Sequence, residues 1–182
     1  MTTRKRTFTQ AQLEAYTLQL LQERGIRLED IAELVFTLQK DYLPNLDMAS
    51  CLESVHSVLE KREVQHAVLT GIQLDVMAEK NLLFPPLQEI IGSDAGLFGI
   101  DENLAQAIVN VYGTIGFTNF GYIDKIKPGV LKKLNKKQEG VCHTFLDDIV
   151  GAIAAAASSR MAHRWEDEAE KKSGISATDA KQ

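Results

Sequence analysis

The stretch Ile149-Val-Gly-Ala-Ile-Ala-Ala-Ala-Ala157 would be apolar on every face of the helix it forms. Nine such residues are too few to cross a hydrocarbon layer of about 30 Å. A short helix that is apolar all round is buried on all sides, and its small side chains let neighbouring helices approach closely. The pattern predicts a long helix from Phe145 to about His163 at the centre of a bundle. The segments on its N-terminal side should then pack around it.

Those segments read as helices. Thr9 and Gln12 have the spacing of a capping box, with Phe8 and Leu13 placed as a hydrophobic staple, and Gly25 is a natural stop. A second helix is expected from about Leu28 to Asp41, ended by Pro44, with Ile31, Leu34, Val35 and Leu38 as its apolar stripe. Asp47 should cap a third, and the charged run Glu60-Lys-Arg-Glu63 should break the chain before a fourth from Val64 to Lys80. Pro85-Pro86 opens a short fifth, ending near Gly92. Another helix starts at Asp101 and loses regularity around Gly113 and Gly116, and a short basic helix follows Pro128. No segment alternates with period two, and no repeat has a fixed period. The expected class is all-α: a compact multi-helix bundle around a buried apolar central helix. A single domain should occupy residues 1–165, with a polar C-terminal tail over 166–182.

Composition narrows the function. The 182 residues carry a net charge of −5, with a pI of about 5.4. Nucleic-acid binders usually display a basic domain or stripe, so no nucleic-acid partner is expected. Cys51 and Cys142 are far apart and form no CxxC pair, which fits two buried thiols in a reducing compartment and a cytoplasmic location. The basic start of the chain is followed by no apolar run, unlike a signal peptide. The apolar region Leu104–Tyr122 is interrupted by Asn110, Thr114, Thr118 and Asn119, so no membrane span is expected.

Three segments put carboxylates where apolar helices begin or break: Asp101-Glu102, Asp124 and Asp147-Asp148. Clustered carboxylates suit Mg²⁺, which takes oxygen ligands and usually shares them with a phosphate. Lysines near Asp124 would meet the phosphate charge. Each carboxylate also has a structural reading. Asp101 is placed as an N-cap, Thr144 to Asp147 has capping-box spacing, and Asp124 can pair with Lys127 on the surface for about 0–1 kcal/mol. Asp148 is harder to account for, because it leads straight into the most apolar helix and a carboxylate buried alone is costly. Asp75, on the Val64, Val68 and Gly71 side of its helix, reads as a buried hydrogen-bonding group. His143 is placed as a proton donor or phosphate contact, or as a satisfied group at the start of a helix.

Gly121-Tyr-Ile-Asp-Lys-Ile-Lys-Pro128, then Leu146-Asp-Asp-Ile-Val-Gly151-Ala152, together with the earlier Ile100-Asp-Glu102, resemble the three ordered motifs of the phosphatidylglycerophosphatase A family. Lys61-Arg-Glu-Val-Gln65 and Thr70-Gly-Ile-Gln-Leu-Asp75 extend the likeness to a soluble bacterial branch of it, the YutG and low-temperature-requirement C proteins. The resemblance implies Mg²⁺-dependent hydrolysis of the terminal phosphate of phosphatidylglycerophosphate, giving phosphatidylglycerol. It implies catalytic roles for Asp124, Asp147 and Asp148, metal contacts from Asp101, Glu102 and Asp148, and a phosphate contact from Lys127. Membrane-bound members have spanning helices and an N-terminal Pro-Gly-Thr-x-Gly-Ser motif. Here Gly113-Thr-Ile-Gly116 echoes that motif in another place, with Phe117 where serine should stand.

Two alternatives follow from these departures: a phosphatase of a soluble phosphate ester, or a regulatory or scaffolding helical oligomer with a relict metal site. Glu60-Lys-Arg-Glu63 also has the Glu-x-x-Glu spacing of helical nucleotide pyrophosphatases, but no Glu-x-x-Asp completes it. The expected partners are a phospholipid phosphate substrate, peripheral contact with the inner face of a membrane through Arg4, Lys5, Arg6, Lys132, Lys133, Lys136 and Lys137, and further copies of the chain. Leu97, Phe98, Phe117, Phe120 and Tyr122, clustered near glycines, are the expected self-association surface.

Overall fold

A computed structural model describes residues 8–173, so Arg4, Lys5, Arg6 and the tail from 174 onward lie outside the described residues. The helices are α1 (Gln10–Glu23), α2 (Leu28–Gln39), α3 (Met48–Leu59), α4 (Arg62–Glu79), α5 (Leu87–Gly92), α6 (Ile100–Val109), α7 (Gly113–Ile126), α8 (Val130–Leu134) and α9 (Leu146–Ser173). Among the described residues no strand forms; Gln138 and Val141 make one isolated bridge. The all-α class expected from the sequence is the class observed.

Local chemistry sets most helix ends. Thr9 and Gln12 form the reciprocal capping box, and the Asp47 carboxylate accepts from the Ser50 N–H at 2.7 Å. Gly25, at φ +76°, follows α1 in the left-handed conformation that glycine adopts without steric cost. The region expected as one irregular helix from Asp101 is two helices, α6 and α7, joined by a 3₁₀ turn at Asn110–Tyr112. Gly116 explains the tight junction: a Cβ there would lie 2.9 Å from the Val109 side chain.

α9 is the axis of the bundle and packs against α2, α3, α4, α6, α7 and α8. Every residue from Thr144 to Ser159 is buried. Small side chains bring the neighbours in close. A Cβ on Gly71 of α4 would fall 2.3 Å from Ile149 Cδ1, and Gly151 faces Phe120, Ile123 and Leu131. Ser54 of α3 donates to the Ala157 carbonyl at 2.9 Å, and Ser159 donates to Tyr112 O at 2.7 Å. The helix continues to Ser173, past the point at 165 where the sequence turns polar.

Among the described residues no helix is long and apolar enough to cross a membrane. Of the five apolar residues expected to mediate self-association, Leu97, Phe117 and Tyr122 are exposed. Phe120 is instead buried against α9, and Phe98 is half-buried, its ring edge-on to Phe145 with centroids 5.8 Å apart. The bundle covers those two because they lie on the faces of their segments turned toward the central helix.

Candidate active site

The chain gathers its acidic residues where three helix ends meet. Asp147 and Asp148 lie in the first turn of α9, Asp101 in the first turn of α6, and Asp124 in the last turn of α7. Carboxylates in a first turn face the positive end of the helix dipole, which favours their ionised form by about 0.3–1 kcal/mol each. Pro128 ends α7 by disfavouring the helical conformation at the preceding residue. Lys127 there turns left-handed, at φ 41° and ψ 57°. That conformation costs a lysine about 1–2 kcal/mol, and it aims the side chain back into the acidic cluster.

The Lys127 ammonium lies 2.5 Å from Asp124 Oδ1, 2.8 Å from Asp147 Oδ2 and 3.2 Å from Asp148 Oδ1. Asp147 also accepts from the Asp148 N–H at 3.0 Å, and Asp101 accepts from the Glu102 N–H at 2.9 Å. Burial alone would lower the Lys127 pKa, but Asp147, Asp124 and Asp148 outweigh it and hold the ammonium above its ordinary range. The carboxyls of Asp147 and Asp148 nevertheless move upward. Burial, with Asp147 and Asp124 nearby, pushes Asp148 up to about 8 against the pull of Lys127. Burial also raises Asp147 and Asp101, with Asp94 adding to both. The two sides agree once charges are counted, since one ammonium cannot neutralise three carboxylates.

The structural roles expected of these carboxylates are met only in part. Gly99, not Asp101, is the N-cap of α6, so the Asp101 carboxylate is buried at the second position of the helix, within its first turn. Thr144 forms no capping box with Asp147, because its hydroxyl donates to Ile91 O at 2.7 Å while the Asp147 carboxylate serves Lys127. Asp75 caps α9 instead, accepting from the Phe145 N–H at 3.1 Å and the Leu146 N–H at 3.0 Å. Burial takes the Asp75 carboxyl up to about 7, against the pull of those donors. The expected Asp124–Lys127 surface pair does form, but Lys127 is largely buried and shared three ways.

Glu102, expected among the metal ligands, is exposed. Consecutive helical residues are rotated by about 100°, so a helix that buries Asp101 turns Glu102 outward. Asp94 had no sequence signal beyond that of an ordinary loop residue. Yet it raises both Asp101 and Asp147 and lines the adjoining cavity.

That cavity, of about 250 Å³, is bounded by Asp94, Lys136, Lys137, His143, Thr144 and Asp147 among others. His143 Nδ1 stands 3.1 Å from the Leu134 carbonyl. A carbonyl can only accept, so Nδ1 carries a proton, and the neutral tautomer consistent with this contact has its lone pair on Nε2. The segment bearing His143 is clamped by groups the sequence did not reveal. Cys142 N–H donates to Glu79 Oε1 at 2.9 Å, the Cys142 carbonyl accepts from Arg24 Nη2 at 2.6 Å, and Arg24 and Glu79 pair at 2.7 Å. Burial would raise Glu79, but Arg24 and the Cys142 N–H hold it below the usual carboxylate range.

Among the described residues no group of three or more His, Cys, Asp and Glu side chains is already set around an ion position. What Asp124, Asp147 and Asp148 share is the ammonium of Lys127. Their donor set is nonetheless all-oxygen and has more negative charge than its one lysine can balance, which suits a hard divalent cation such as Mg²⁺.

The sequence model of the phosphatidylglycerophosphatase A family matches residues 17–163. The uncharacterized protein YutG of Bacillus subtilis is 61% identical over 154 residues, 85% of this chain and 93% of its own length. The uncharacterized protein YpjQ of the same organism is 52% identical over 160 residues, 88% of this chain and 90% of its own. The crystal structure of low temperature requirement C protein from Listeria monocytogenes superposes with a TM-score of 0.85 at 61% identity, covering 87% of this chain and 99% of that one. A match of this extent, with the three acidic motifs converging in the fold, makes the chain a member of the phosphatidylglycerophosphatase A family, on the branch of YutG and low temperature requirement C protein.

Proposed function

We propose that the chain is a Mg²⁺-dependent phosphatase that hydrolyses the terminal phosphate monoester of phosphatidylglycerophosphate. The observation that supports this most is the convergence of Asp124, Asp147 and Asp148 on one cationic point beside a cavity lined by His143, Lys136 and Lys137. Asp124, Asp147 and Asp148 would hold the ion, with Asp101 close behind. When bound, Mg²⁺ supplies Lewis-acid polarisation of the phosphoryl oxygen and a more acidic attacking water. Lys136 and Lys137 at the cavity wall attract the phosphate dianion. His143, fixed by the Leu134 carbonyl, offers Nε2 to take up or return a proton as the ester oxygen leaves.

The Arg24–Glu79 clamp and the Asp75 cap hold the 142–146 segment, and with it His143 and Asp147, in fixed relation. The test is phosphate release from phosphatidylglycerophosphate in detergent micelles, with Mg²⁺ or with chelator, beside a parallel assay on glycerol 3-phosphate. Release from the lipid with Mg²⁺, abolished by chelation, is the expected result. Release from the soluble ester alone would transfer the reading to soluble substrates, and no metal-dependent release from either would leave the scaffolding alternative.

A further inference from the structure

Lysine carries three N–H donors and no acceptor. In Lys127 these three meet three carboxylates, on Asp124, Asp147 and Asp148. None is left for a phosphate, so the lysine cannot hold the cluster and a substrate at once. It also fills the point on which the carboxylates converge, the place a divalent cation would need.

We propose that the Lys127 ammonium is a built-in competitor for the cation site: it closes the carboxylate cluster in the metal-free protein, leaves when a divalent cation binds, and is then free to meet an anion at the neighbouring cavity. The proposal rests on the functional reading above only for the existence of a divalent-cation site, not for the lipid substrate.

Three features make the lysine the moving part. Its stem is a flexible four-carbon chain ending in a compact charge, unlike the planar fork of arginine. Its side chain is 21% exposed, whereas those of Asp147 and Asp148 are 11% and 7% exposed, so the open side of the cluster is the one that Lys127 shares with Asp124, at 31%. Asp147 and Asp148 are also fixed by their place in the first turn of the buried central helix, and Asp147 by the Asp148 N–H. The travel needed is short, because Asp147, at 2.8 Å from the ammonium, is itself part of the cavity wall. Charge favours the exchange, since a divalent ion balances three carboxyl groups better than one ammonium does.

The test measures Mn²⁺ binding by calorimetry to the metal-free wild type and to Lys127→Met, which keeps the apolar stem and removes the charge. Without the competitor, Lys127→Met should bind Mn²⁺ at least about tenfold more tightly, which is about 1.4 kcal/mol of binding free energy. Its melting temperature without metal should fall below that of the wild type and recover on adding Mn²⁺. Equal or weaker Mn²⁺ binding by the variant, or no binding by either protein, would overturn the proposal.

Should the variant fail to fold, the wild type decides alone. With ¹⁵N-labelled lysine, the Lys127 ammonium should give a slowly exchanging signal that is lost on saturation with Mg²⁺. A signal that persists would show that the lysine stays in place, and the proposal fails. Because neither readout uses substrate, a protein that exchanges lysine for metal yet releases no phosphate would contradict only the proposed function.

Discussion

At Asp148, burial and the neighbouring Asp147 and Asp124 raise the carboxyl to about 8 while Lys127 pulls the other way. An unfolded aspartate has a pKa of about 3.9, so the folded state binds this proton more tightly than the unfolded one. The stability this contributes is fully present below about pH 4 and is lost as pH rises toward about 8. Asp75, raised to about 7, acts with the same sign. The melting temperature of the metal-free protein should therefore fall between about pH 5 and about pH 8.5. In Asp148→Asn this decline should be shallower without vanishing, and at the alkaline end the variant should melt at or above the wild type. Its Mg²⁺-dependent phosphatase activity should drop by about 10²–10³-fold, the scale of losing one charge-stabilising group. If Asp148 were only structural, asparagine would still flatten the slope but would leave the activity unchanged.

Among the elements, the crossing of α4 over α9 sets the site, since α4 carries both Asp75 and Glu79 and reaches α9 at Gly71. A Cβ at Gly71 would lie 3.0 Å from Phe145 Cβ as well as against Ile149, and Phe145 Cβ cannot rotate away. Gly71→Val should cost about 1–3 kcal/mol by overpacking and should lower activity by shifting the Asp75 cap. Gly92→Ala, whose Cβ would meet only the Gln88 amide at 3.8 Å, is the control and should change stability little. Thermal melts of both variants at one pH check this. The same crossing shows which features were legible in the sequence. The Thr9 and Asp47 caps and the Gly25 stop could be read because each partner lies within a few residues. The start of α9 could not, because its cap, Asp75, is 71 residues away from Leu146 in sequence. The all-apolar run 149–157 gave the central helix directly, since burial on every face leaves no polar position. The acidic motifs singled out Asp124, Lys127, Asp147 and Asp148, which the fold brings into contact. They did not show that Glu102 would be exposed beside a buried Asp101, because adjacency in sequence is not adjacency on a helix, and they gave no sign that one lysine would join three of the carboxylates.

At the scale of the whole molecule, a net charge of −5 should repel an anionic surface, so any attraction must come from a local face. Lys132, Lys133, Lys136 and Lys137 are exposed on α8 and just after it. Lys136 and Lys137 line the cavity, and Lys137 donates to Ser93 O at 2.7 Å, tying this basic segment to the 93–99 loop. That loop holds Leu97 fully exposed at φ 68°, a conformation unusual for leucine. A basic segment at the cavity wall, tied to a loop that exposes a leucine, suits contact with lipid headgroups. Each lysine near an anionic bilayer contributes about 1 kcal/mol, and the attraction falls off within a Debye length of about 8 Å at physiological salt. The protein should cosediment with phosphatidylglycerol-containing vesicles at low salt more than with phosphatidylcholine vesicles, and raising the salt should release it. Replacing all four lysines by glutamine should abolish the difference and lower kcat/KM for a bilayer-embedded substrate. Lys132→Gln and Lys133→Gln alone, which lie outside the cavity wall, should weaken vesicle binding while leaving hydrolysis of the same lipid in neutral micelles unchanged. Equal recovery with neutral and anionic vesicles at low salt would show that this face does not meet a membrane.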